Sequence, residues 1–111
     1  MTLKALITLC LLSVVSLGRA DIVILENANE VYARNLLLPS SIAGSLVLKE
    51  CDTCTPITIR TSANSSYFIA GTEVSLEQFR TAFEQRASEE NLVLAVLSDR
   101  KSGYVTRILM N

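Results

Sequence analysis

Apolar and polar positions divide the chain into a leader and a domain. Ala5 to Gly18 carries no charged side chain, Lys4 precedes that run, and Gly18-Arg19-Ala20 places small residues just after it. A positive n-region, an apolar h-region and a small-residue cleavage site make a secretory signal, so residues 1–20 are expected to be removed. The run is too short for a membrane span, which needs about 20 apolar residues, so the mature chain is expected to have no stable span. Cys10 lies inside the run behind Leu9, whereas a lipid-modified cysteine would need a small residue before it.

Past the leader the pattern changes to short apolar segments separated by turn residues. Ile22 to Leu25 suits a strand, Asn27 to Asn29 interrupts it, and Val31 to Leu38 reads as an extended segment, favoured over a helical turn, up to the loop Pro39-Ser40-Ser41. Gly44 marks the start of the next element, with Ser45 to Cys51 as a strand. Ile57-Thr58-Ile59-Arg60-Thr61 alternates with period two and is rich in β-branched residues, which predicts another strand. Together they predict a hairpin or sharp corner across Cys51-Asp52-Thr53-Cys54. Ser62 to Ser66 has turn composition and contains the sequon Asn64-Ser65-Ser66, which matters only in a eukaryotic secretory route. Tyr67 to Ala70 then forms a strand ending at Gly71.

A helix is predicted over Leu76–Ser88. Ser75 and Gln78 have the spacing of a capping box, and Glu77 lies in the first turn, where a negative charge is favoured. Leu76, Phe79, Ala82 and Phe83 form one apolar stripe, opposite Glu77, Arg80, Glu84 and Gln85. Leu92 to Leu97 has no polar interruption and predicts a strand covered on both faces. Asp99 to Gly103 turns the chain, and Tyr104 to Met110 returns as the last strand. The expected fold is therefore one small α+β domain over residues 21–111: a mainly antiparallel sheet of about five or six strands with one packed helix. Its expected core is Leu46, Leu48, Ile57, Ile59, Phe68 or its neighbours Tyr67 and Ile69, Phe79, Phe83, Val93, Val96, Val105 and Ile108.

Composition narrows the chemistry. Hydrophobic residues make up 50% of the whole chain, but the leader inflates that share. Removing the leader leaves eight basic against eleven acidic groups, a net charge of −3 with no basic footprint for nucleic acid or anionic lipid. The chain has no histidine, which removes the imidazole relays of hydrolases and the commonest metal ligand. Glu89-Glu90 reads as solvated surface rather than a catalytic pair. No cofactor is implied.

Cys51 and Cys54 are the two cysteines that survive cleavage, and an exported pair is expected to form a disulfide. A four-residue turn brings its ends within about 7 Å, close enough for the bond. Cys-x-x-Cys is also the spacing of thiol-disulfide oxidoreductases, whose first thiol is activated at a helix N-terminus. Here Pro56 and a strand follow, so a structural clasp is favoured over Cys51 as attacking and Cys54 as resolving thiol. One such pair supplies half the ligands of a structural zinc site. The functional expectation is a periplasmic or secreted, non-catalytic binding or accessory protein. Its candidate contacts with an envelope or secreted partner are Arg100, Lys101, Tyr104 and Arg107, on the terminal hairpin.

Overall fold

The computed structural model describes residues 26–111. The expected strand at Ile22 to Leu25 and the leader with Cys10 lie outside that range. In chain order the elements are β1 (Glu26–Tyr32), a 3-10 turn (Ala33–Asn35), β2 (Leu36–Leu37), β3 (Ser45–Leu48) and β4 (Ile57–Arg60). They continue with β5 (Ser66–Ile69), β6 (Thr72–Val74), α1 (Leu76–Arg86), β7 (Val93–Asp99) and β8 (Val105–Met110). The α+β domain holds, with its strands divided between a five-stranded sheet, ordered β1-β7-β8-β5-β6, and a three-stranded sheet, β2-β3-β4. All neighbours are antiparallel except β5 and β8, which run parallel.

One core joins the two sheets and the helix. Leu46 and Leu48 from β3, Leu94 and Val96 from β7, Ile108 and Met110 from β8, and Phe79 from α1 are at most 1% exposed. Phe79 meets the Tyr67 ring at 5.5 Å between centroids, and full burial of such a side chain contributes roughly 1.5–3 kcal/mol. Leu76, Ala82 and Phe83 pack against the same cluster, as their helical spacing predicts. The capping box forms as expected: Gln78 N–H donates to Ser75 Oγ at 3.1 Å, and Ser75 N–H donates to Gln78 Oε1 at 3.0 Å.

Several expectations are corrected. Asn27 to Asn29 does not interrupt a strand but lies within β1, where pairing to β7 runs without a break from Glu26↔Asp99 to Tyr32↔Val93. An edge strand has solvent on one side, so polar residues there cost little. β7 is interior to its sheet, and the described residues cover it on one face only: Leu94, Val96 and Ser98 are buried, while Val93 is 39% exposed. Val93 is therefore not core, and neither is Ile57, which is 40% exposed on the outer strand β4. Between Phe68 and its neighbours, Tyr67 takes the buried position. The short strand β6 was not foreseen. It folds back from β5 through Ala70 and Gly71, both at positive φ (49° and 82°).

Candidate interaction surfaces

The hairpin β3–β4 carries the cysteine pair. Cys51 and Cys54 form a disulfide with Cα atoms 5.0 Å apart, and Cys54 N–H donates to the Cys51 carbonyl at 3.1 Å. Asp52, inside this turn, accepts from Arg34 Nε (3.1 Å), Arg34 Nη2 (3.3 Å) and Asn35 Nδ2 (2.9 Å). The Arg34 hydrogen bond, then that from Asn35, holds the Asp52 carboxyl below its ordinary pKa. Arg34 also donates to the Glu90 carbonyl at 3.1 Å and lies over the Tyr32 ring at 4.2 Å. The bridged turn is thus docked on the 3-10 turn between β1 and β2. Nothing in the local sequence around Cys51 signals Arg34 or Asn35 as partners, because the contact depends on how β2 pairs with β3.

The chain leaves Cys54 through Thr55 and Pro56 directly into β4, so among the described residues no helix begins at the pair. Among the described residues, no three or more Cys, Asp or Glu side chains converge to hold a metal ion. Glu89 and Glu90 are exposed, and Glu89 is ion-paired to Arg86 at 3.1 Å.

The four candidate contact residues fall into two places. Arg100, Lys101 and Tyr104 are exposed around the β7–β8 turn. Asp99 organises that turn by accepting from the backbone N–H groups of Lys101 (2.7 Å) and Ser102 (3.2 Å), which lowers its pKa. Gly103 closes it at φ 76°. Arg107 stands apart on β8, where it pairs with Glu26 at 3.3 Å. The single O–H of Thr106 is shared between two acceptors, the Glu26 carboxylate and the Leu97 carbonyl (3.1 Å), beside the irregular register between Leu97 and Ser98.

Register shows which face each strand presents. Leu94↔Met110, Val96↔Ile108 and Tyr67↔Ile108 define the inner face, toward helix and core. The alternate residues Ala28, Tyr32, Val93, Ala95, Leu97, Leu109 and Phe68 fall on the outer face, through the pairs Tyr32↔Val93, Ala28↔Leu97, Ala95↔Leu109 and Phe68↔Leu109. None of these seven belongs to the core cluster or packs against it. Tyr32 is 42% exposed, Ala28 is also exposed, and Ala95, Leu97, Leu109 and Phe68 are half-buried. The continuous apolar run at Leu92 to Leu97 is the sequence signal for this band, since it puts apolar residues on both faces of β7.

No protein-family model, curated protein or solved structure matches this chain.

Proposed function

We propose that this chain is an exported, non-catalytic binding or accessory protein of the periplasm or secretory space, engaging a protein partner through the outer face of its five-stranded sheet. The carrying observation is the set of apolar side chains from Tyr32 and Val93 across Leu97 and Leu109 to Phe68, which share this face with Glu30, Glu73 and the Glu26–Arg107 pair and over which no described element packs. Apolar side chains rimmed by charged ones on an uncovered sheet face are a common mark of an interaction site. The Lys4-to-Ala20 leader pattern supports export, and a Cys51–Cys54 disulfide suits an oxidising compartment.

Lys101, Arg100 and Tyr104 border one end of this face and favour a partner with an apolar patch and acidic groups at its rim. Arg107 and Glu26 already neutralise one another, so their part is to hold β8 and β1 in place across the face. The test is capture from envelope and secreted fractions, comparing wild type with Leu97→Glu and with Arg100→Glu/Lys101→Glu, each checked for fold by circular dichroism. The reading expects a specific partner whose retention falls in both variants. Equal retention by both would contradict it.

A further inference from the structure

We infer that the partner segment seated on the outer face carries a basic side chain on each side of an apolar centre. This rests on the outer face being the interaction surface and adds the chemistry of what covers it. The pairs Glu30↔Ala95, Ala95↔Leu109, Phe68↔Leu109 and Phe68↔Glu73 set one row across the whole sheet, in the order Glu30, Ala95, Leu109, Phe68, Glu73. Its middle is apolar and both ends are carboxylates. A concavity of about 140 Å³ opens in the row between Phe68, Leu109, Gly71 and Arg107, enough to seat an aliphatic side chain.

The two end carboxylates carry the unanswered charge of this face. Glu30 and Glu73 are exposed, and neither has a hydrogen bond or ion pair among the described residues. Glu26, by contrast, is matched by Arg107, and Asp99 by the N–H groups of its own turn. Neighbouring strands lie about 4.8 Å apart, so four steps separate the ends of the row by about 19 Å. Salt screens charges at that distance from one another, so each end calls for its own cation.

An extended segment rises about 3.3 Å per residue, so basic residues at about i and i+6 span the row. Equal parity points both at the sheet, together with the residues at i+2 and i+4, which meet Leu109 and Phe68 and are therefore apolar. Arg100 and Lys101 lie at the β7–β8 turn, away from this row, so acidic groups that answer them belong to another part of the partner. Opposite charges at separate points of one footprint fix its orientation.

The probe is the peptide acetyl-Lys-Ser-Leu-Ser-Leu-Ser-Lys-amide, titrated into the isotope-labelled chain and followed by NMR. The chain is used in the processed form recovered after expression with its own leader. Amide shifts are expected along the row at Ala95, Leu109 and Phe68, with affinity lowered roughly fivefold by Glu30→Gln/Glu73→Gln. Glu30→Lys/Glu73→Lys should reverse the preference and select the same peptide ended in Glu. These substitutions change exposed side chains, and circular dichroism verifies each fold. Absence of shifts, shifts elsewhere, or equal binding of Lys-ended and Glu-ended peptides by wild type would overturn the inference. Envelope capture separates it from the reading beneath it. A partner lost with Leu97→Glu but kept by Glu30→Lys/Glu73→Lys would remove the inference and leave the surface, whereas a partner kept by both would remove the surface.

Discussion

Removing the Cys51–Cys54 bond separates a local clasp from a bond the fold depends on. The crosslink closes only a four-residue loop, so the chain-entropy relation gives about 2 kcal/mol before native-state strain is subtracted. Nothing in the core rests on the sulfurs: Leu46 and Leu48 are fully buried on β3, whereas Cys51 is exposed. The reduced turn also keeps contacts of its own, because Asp52 is held by Arg34 and Asn35. Small domains are stable by about 5–15 kcal/mol, so the loss leaves a folded protein.

In Cys51→Ala/Cys54→Ala, or in reductant, thermal unfolding should remain one cooperative transition with a midpoint lowered by roughly 8–16 °C. Hydrogen exchange should accelerate around residues 51–54 and in the Ala33–Asn35 turn, with β7 and β8 unchanged. Global loss of the far-UV circular dichroism spectrum on reduction would refute the reasoning. It would mean that the hairpin cannot hold its place by packing.

Three further outcomes follow from the geometry. Tyr67 Oη is buried without a well-formed hydrogen bond among the described residues, and burial pushes its pKa up against a weaker opposing influence of the Thr61 side chain, so Tyr67→Phe should be neutral or stabilising by about 1 kcal/mol in urea unfolding; a loss of that size would show that Thr61 or another group satisfies the hydroxyl. Ala70 occupies left-handed backbone before Gly71 in a two-residue hairpin, where Asn-Gly is preferred, so Ala70→Asn should stabilise by about 1 kcal/mol; no rise in the thermal midpoint would count against the turn geometry. The backbone N–H groups of Lys101 and then Ser102 lower the Asp99 pKa, so its stabilisation is present above the ordinary value of 3.8 and disappears as pH falls through its lower folded value. Thermal midpoints of wild type should therefore converge on those of Asp99→Asn at acid pH, and curves that stay parallel would contradict the assignment.

What the sequence disclosed follows from how local each signal is. The Ser75 capping box, the Phe79 stripe and the Ile57 to Thr61 alternation are set within a few residues; the first two appear in the structure, and the third yields a strand over Ile57–Arg60 but not the inward-facing Ile57 it implied. The pairing of β5 with β8 is parallel and joins segments about 40 residues apart, so no local pattern announces it. Asn27 to Asn29 misled because turn composition is also tolerated on an edge strand. Leu92 to Leu97 misled in another way: apolar residues on both faces imply two covered faces only if something covers the second. For the candidate site, the Cys51–Cys54 bond was legible from the spacing and from the even cysteine count left after cleavage. The docking of Asp52 on Arg34 and Asn35 was not, because it arises from the β2–β3 pairing.

Intact-mass analysis of the native protein from fractionated cells bears most directly on the proposed exported role. Expected is a chain starting at Asp21, found outside the cytoplasm and two hydrogens lighter than its dithiol form. Uncleaved protein confined to the cytosol, with the Cys51 and Cys54 thiols free, would contradict the account.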